Sequence, residues 1–417
     1  MDKSINPKIF NFFVLTYPLL DIIYTINSRI LKVNFPINQG IRVLIMIYLL
    51  TKIDRKKSFF IISILFLLLT FGEISYFYSG NMSLSENLSY VTKLLFLIIV
   101  IYGIESMLNR GIITPLETIS VITSSSVIIC LSIVLSKFGL GYNSWDNNLR
   151  SGVKGLFSVQ NTITISLLII QPLCLIMFER TKKLSYLAKY LLIFVSLVLI
   201  GTKSGLVGAG AILLAQLILI LFKTKLTYLK IAISTFLMIF LLAFGVIATD
   251  YIREFIKDQQ YLYHYYNYTN IYSFLLSNRD LQLDYIRTYI ENFRQFNPVW
   301  LWGLGYSLAN TIIGQGKSDF KAIEMDFHGI YYYSGVWVLL IITIVIFKRY
   351  WQSIIYMIKS KVTFMSFSIF LSLSVAIIHA LYGGHVLYEA LTILYFGIIL
   401  NISKYELSMT KNKKKVL

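Results

Sequence analysis

The sequence predicts an all-α polytopic membrane protein, one integral domain over residues 1–417, on three observations. Hydrophobic residues make up 57% of the chain and charged residues only 14%, whereas a soluble domain carries nearer a quarter charged. The apolar residues fall in long blocks, such as 59–71, 190–200 and 231–247, and blocks of about 20 residues are what a helix needs to cross a bilayer. The basic residues gather in short runs between those blocks: KIDRKK (52–57), ERTKK (179–183), KTKLTYLK (223–230), KRY (348–350) and KNKKK (411–415). That is the positive-inside pattern of a membrane protein. It explains the net charge of +18 without nucleic acid as a partner.

Hydropathy predicts about twelve spans, at 9–28, 37–51, 58–78, 88–107, 117–139, 157–178, 185–201, 203–222, 228–249, 327–347, 362–381 and 384–402. The second is short, and the spans within 185–222 meet almost without a loop. With a cytoplasmic N-terminus, every basic run falls inside, as do both termini; Arg29 and Lys32, in a short outer turn, are the exception. The first apolar block lacks a small-residue cleavage site and reads as a retained helix. Cys130 and Cys174 lie in apolar blocks and read as buried thiols, with no disulfide or metal framework.

This alternation puts residues 141–156 and the long connection 250–326 on the outer face. A connection of that length is characteristically functional or disordered, and its aromatic content argues against disorder. It carries QQYLYHYYNYTNIY (259–272), Trp300 and Trp302. Tyr and Trp suit both membrane interfaces and sugar-binding surfaces, and both readings stay open. Within the loop, SNRDLQLDYIRTYIENFRQF (277–296) predicts an amphipathic helix, because Leu283, Ile286, Ile290 and Phe293 share one face. Ser277 and Asp280 are spaced for a capping box. The helix ends before Pro298, and WLWGLGYSLANTIIGQGK (300–317) follows as a glycine-punctuated loop.

Five cations and one histidine are the candidates for chemistry. Arg279 stands in the first turn of the predicted helix, where a cation opposes the helix dipole; a helix N-terminus with an arginine makes an anion site. Arg287 has Asp284 and Glu291 at ion-pair spacing, a structural alternative. Lys203, in IGTKSGLVGAG (200–210), is costly between two apolar blocks unless it faces a polar cavity or snorkels to the surface. Arg150 and Lys154, in NNLRSGVKGLFSVQN (147–161), lie beside glycines as a phosphate cradle does. His328 follows Glu324 and Asp326, which are spaced to orient it and favour its protonated form, so it reads as a general base. An interfacial histidine bonded to a loop carbonyl is the alternative. His379 and His385 flank ALYGG at another outer turn, and His264 reads as interfacial. No His-x₃-His or Cys-x₂-Cys spacing, P-loop or dinucleotide pattern appears, so no metal and no cofactor is expected. Cations on the outer face suit a lipid-linked diphosphate, and a base suits a hydroxyl attacking it.

Four segments, in this order, resemble the O-antigen polymerase and ligase superfamily of bacterial membrane glycosyltransferases, in its Gram-positive-type polysaccharide polymerase branch. RSGVKGLFSVQN (150–161) resembles its outer basic segment leading into a span. GTKSG (201–205) resembles its small-residue turn with a basic residue between spans. SNRD (277–280) with WGLGY (302–306) resembles the arginine and glycine pattern of its large outer loop, and EMDFHGIYYYSG (324–335) the acidic, histidine-bearing entry to the next span. The resemblance implies a metal-independent GT-C-like enzyme using an undecaprenyl-diphosphate-linked oligosaccharide as donor. It implies that Arg150, Lys203 and Arg279 hold the diphosphate and that His328 is the outer histidine near the site. Lys203 stands where many members have arginine, which weakens bidentate phosphate binding. The expected partners are lipid-linked oligosaccharide, membrane lipid and other polysaccharide-assembly proteins. A ligase needs the same donor site as a polymerase. A flippase fits the span count but would show internal symmetry and midplane polar residues, and a sugar-lipid-binding scaffold would need no base.

Overall fold

The computed structural model describes residues 7–29, 32, 37–79, 83–144, 152–223, 257, 273, 276–292, 299–316 and 322–416. Arg150, the predicted span at 228–249, the Tyr-rich run and His264 lie outside them. The first half of the chain comprises α1 (Pro7–Arg29), α2 (Ile37–Leu50), α3 (Arg55–Ser79), α4 (Leu84–Asn109), α5 (Pro115–Ser136), α6 (Gln160–Thr181), α7 (Leu184–Ile200) and α8 (Lys203–Lys223). The second comprises α9 (Arg279–Asn292), α10 (Val299–Trp302), α11 (Tyr306–Gly316), α12 (Asp326–Lys359), α13 (Phe364–Tyr382) and α14 (Ala390–Val416). Among the described residues, eight helices are long and apolar enough to cross a membrane, and α2 and α7 are shorter apolar helices. The all-α expectation holds, with one small addition: β1 (Tyr142–Asn143) pairs antiparallel with β2 (Val153–Gly155).

Local chemistry sets the helix ends. Thr114 caps α5 through the Glu117 N–H, with Pro115 in the first turn. Thr363 and Ser366 form a capping box on α13. Gly201, at φ 72°, closes α7 in the left-handed conformation that glycine adopts without strain, so α8 begins only two residues later. Gly205 and Gly208 of α8 then sit against Thr164 and Leu168 of α6, a close helix approach that small residues permit.

The two ends of the bundle differ in chemistry. At the end bearing the basic runs 52–57 and 348–350, Glu105 of α4 is nearly buried and collects Arg349 Nη2 at 2.6 Å, Lys57 Nζ at 2.8 Å and Lys404 Nζ at 2.8 Å. One carboxylate thereby ties α3, α4, α12 and α14. At the opposite end the connections are longer and carry the loop helices, and that end holds the candidate site.

Helix α12 is interrupted there. Gly335 has φ 76° and ψ −179°, a region essentially confined to glycine, and a Cβ on it would collide with the Leu301 carbonyl. The break frees carbonyls that an unbroken helix would use. Residues 303–305 enter the gap and satisfy them: Leu304 N–H donates to Tyr332 O at 2.7 Å and Gly305 N–H to Tyr333 O at 3.0 Å. Irregular backbone inside a membrane bundle persists only with such partners. Tyr90, Tyr306, Tyr333 and Tyr388 pack ring to ring beside the break, with centroids 4.9–5.6 Å apart. They fasten the loop helix α11 to α4 and α12.

Candidate active site

The amphipathic helix forms as α9, and its apolar face is the expected one: Leu283 and Ile286 are buried and Ile290 packs against the core. Its capping differs from expectation. Ser277 and Asn278 are both left-handed, at φ 56° and 63°, so the Ser277–Asp280 box does not form. Ser273 instead donates its hydroxyl to the Asp280 carboxylate and accepts the Asn278 N–H at 2.9 Å.

Arg279 opens α9 and is engaged by Glu324. Its Nε lies 2.8 Å and its Nη2 2.6 Å from Glu324 Oε2, and Nη1 reaches the Leu276 carbonyl at 3.3 Å. Gln282 accepts the Glu324 N–H at 3.2 Å. The cation that helix energetics leave unexplained is therefore matched by a carboxylate 45 positions later. Arg287, two turns on, makes an exposed pair with Asp284 at 3.6 Å and donates from Nε to the Tyr332 hydroxyl at 3.4 Å.

Asp326 is fully buried. Its Oδ1 accepts the His385 N–H at 2.9 Å, and its Oδ2 accepts those of Val386 and Leu387 at 2.8 and 3.0 Å. Three successive N–H groups can converge because Gly384, at φ 72°, and His385, at φ 66°, reverse the chain; a Cβ on Gly384 would collide with the Glu324 carbonyl. Residues 383–389 are thus a loop, and the last span starts at Ala390, not at 384 as predicted.

Neither carboxylate orients His328, contrary to the expectation. Arg279 takes one, the 385–387 turn takes the other, and His328 faces the positive charge of Arg287 instead. His328 Nδ1 is buried with no hydrogen-bond partner among the described residues. His379 closes its own turn through Nδ1 and Gly384 O at 2.8 Å. His385 lies where Glu324, Glu389 and Arg279 act on it; burial holds its imidazole below the usual range despite the two carboxylates.

The other cations approach from a different side. Lys203 begins α8, where Thr202 caps the Gly205 N–H at 3.2 Å. Lys154 is buried in β2, and its hairpin is pinned to the ends of α5 and α7: Leu156 N–H bonds Ser132 Oγ at 2.8 Å, and Ser144 Oγ bonds Ile200 O at 2.9 Å. The structure brings Lys154 and Lys203 to neighbouring elements and Arg279, Glu324, Arg287 and His328 to another group, all at one end of the bundle.

The family model for O-antigen ligase like membrane proteins matches residues 3–269. The chain belongs to this O-antigen ligase-like family. No curated protein matches it. Membership in the O-antigen ligase-like family points to ligase- or polymerase-type glycosyl transfer on lipid-linked glycans in the membrane. The matched residues include Lys154 and Lys203, whereas Arg279, Arg287, Glu324, Asp326 and His328 follow the matched segment.

Sequence reasoning passed over four ionisable residues at this end of the O-antigen ligase-like chain: Asp21, Arg42, Lys93 and Glu389. Lys93 Nζ lies 3.9 Å from Glu389, and Asn38 donates to Asp21 at 2.7 Å. The signal was available, because Asp21, Arg42, Lys93 and Glu389 all fall inside predicted spans, where an ionisable residue is a functional-site hypothesis by default.

Proposed function

We propose that the chain is a polysaccharide polymerase of the bacterial plasma membrane, of the capsule or exopolysaccharide kind and of the Gram-positive-type branch. It transfers a growing glycan from undecaprenyl diphosphate to the terminal sugar of the next lipid-linked repeat unit. The observation that carries this reading is His328, partly exposed at the entry of α12 and facing Arg287, its Nδ1 without a hydrogen-bond partner among the described residues, in a chain of a glycan-transferring family.

In this reading the acceptor hydroxyl gives its proton to His328 as its oxygen bonds the donor's anomeric carbon. The bond from that carbon to the diphosphate oxygen breaks, and the diphosphate leaves with the electron pair. Arg150, Lys154, Lys203, Arg279 and Arg287 meet the charge that develops on it, so the step needs no metal. Glu324 holds Arg279 in place before the diphosphate arrives, and Asp326 holds the loop behind His328. Both are positioning residues, and neither touches the reacting atoms.

The test is a transfer assay with the purified chain in liposomes and a lipid-linked repeat unit as the sole substrate, reading released undecaprenyl diphosphate. One diphosphate lipid should appear per glycosidic bond formed; glycan extension without that release would overturn the reading. In the same assay Lys203→Ala and Arg279→Ala should each cost charge-assisted bonds of roughly 1.5–3 kcal/mol, a loss of about 10- to 150-fold. Arg287→Ala should cost less, since its ion pair is exposed. If Arg287→Ala alone abolishes transfer, that ranking of the arginines is wrong.

Orientation is read from the basic runs, of which 52–57 and 348–350 supply Lys57 and Arg349 to Glu105. Leu140, 61% exposed after α5, belongs outside, and Lys361, in the turn after α12, belongs inside. A membrane-impermeant thiol reagent should label Leu140→Cys in intact cells and leave Lys361→Cys unlabelled. The reverse pattern would invert the topology and put the candidate site in the cytoplasm.

A further inference from the structure

A cavity of about 540 Å³ opens between α1, α2, α4, the start of α6 and the loop before α14, a volume within the range of roughly 300–1,000 Å³ typical of small-molecule sites. We infer that this cavity is the pocket for the sugar end of the acceptor, an inference that rests on the transfer reading above.

Its wall is polar in both senses. Asp21 and Glu389 are carboxylates that accept; Arg42 and Lys93 are cations that donate. Three polar atoms of its lining residues have no hydrogen-bond partner among the described residues, Arg42 Nε, Asn38 Oδ1 and Thr162 Oγ1, and all three are buried behind the wall and not open to the cavity. Arg42 itself is only 6% exposed. A buried polar atom left unpaired costs roughly 1–3 kcal/mol, so a side-chain turn that brought any of the three to the cavity would be favoured once a hydrogen-bonding ligand filled it.

The combination selects the ligand class. A simple anion would match the cations and be repelled by Asp21 and Glu389, and a simple cation would meet the reverse. A lipid tail would pair with none of the four charged side chains. A sugar's hydroxyls each donate and accept, so one or two rings can serve the carboxylates and the cations together.

The cavity also adjoins the candidate site. Glu389 ends the loop whose residues 385–387 hold Asp326, two positions before His328, and its charge acts on both Asp326 and His385.

Saturation-transfer NMR on the full chain in lipid nanodiscs tests this, with glucose, N-acetylglucosamine, glucuronate and their disaccharides as probes. At least one should receive saturation from the wild-type protein. Asp21→Asn and Glu389→Gln should each weaken that binding about tenfold or more, as loss of a hydrogen bond to a charged group implies, and His328→Ala should bind as wild type does. Ser89→Cys, at a partly exposed lining position, gives a second readout less exposed to misfolding: the bound saccharide should slow modification of the introduced thiol by a small thiosulfonate reagent. Three results would overturn the inference: no saccharide binding, binding indifferent to both carboxylate variants, or a thiol reactivity in Ser89→Cys governed by nanodisc lipid and not by sugar. Sugar binding in a chain that shows no transfer would sink the polymerase reading and leave the pocket standing. Transfer whose acceptor KM is unchanged in Asp21→Asn would do the opposite.

Discussion

Asp326→Ala should release the 383–389 loop and abolish transfer while the protein still inserts in the membrane. The carboxylate is the acceptor for three successive N–H groups, at 2.8–3.0 Å, in a site with no solvent exposure. Removing it orphans all three, at roughly 1–3 kcal/mol for each buried donor. Few substitutions in the chain should cost as much. Asp326→Asn should recover only part of the loss: its one amide oxygen can replace one carboxylate oxygen, while its NH₂ group confronts N–H donors where the other stood. Hydrogen exchange of residues 385–387 in the detergent-solubilised protein measures this. Their amides should be protected in the wild type, partly protected in Asp326→Asn and unprotected in Asp326→Ala. Equal protection in all three would mean that the loop is held by something else.

His328→Gln should leave that protection intact and slow transfer by about 10²- to 10⁴-fold, the usual contribution of a positioned general base. That corresponds to roughly 3–5 kcal/mol of barrier. Glutamine keeps a hydrogen-bonding side chain of similar reach, so it can still position a hydroxyl, but an amide cannot accept the proton. The donor lipid should bind as before, because the cations are untouched. Single-turnover measurement of glycan transfer separates the two: the rate constant should fall and the donor dissociation constant should not. Near-normal turnover in His328→Gln would remove His328 as the base. Glu324 would then be the next candidate, since Asp326 is committed to the loop and Glu324, bound to Arg279, is the more exposed carboxylate.

The contrast between those two variants shows how far the sequence could be read. Hydropathy places the helices well, because the bilayer makes each span a local decision of length and apolarity. It misplaces the last one because HVLYEA (385–390) reads as apolar helix, while the force that unwinds residues 385–387 is a carboxylate 59–61 positions earlier. Glu324 and Asp326 were legible as unusual at a span entry, but their partners were not. The nearest ionisable neighbour in sequence, His328, is the partner of neither; Arg279 and the loop amides, brought in by tertiary structure, are. Ser277 fails as a cap for a related reason, since its neighbour Asn278 is bonded to Ser273 and both residues turn left-handed. The stretch 300–317, expected as a glycine-punctuated loop, is mostly helix, α10 and α11, with only residues 303–305 between them as loop, and nothing local tells that those three fill the break at Gly335. Asp21, Arg42 and Lys93 were the reverse case. Their cost inside apolar spans was visible in the sequence, and what they build together was not.

The most direct measurement of the central claim is the product distribution from one synthetic lipid-linked repeat unit, incubated with the purified chain alone and resolved by length. A polymerase makes both donor and acceptor from that one substrate, so a ladder rising in steps of one repeat unit is the predicted result, lost in His328→Gln. Absence of a ladder, with glycan transferred only when a different acceptor molecule is supplied, would contradict the claim and make the protein a ligase.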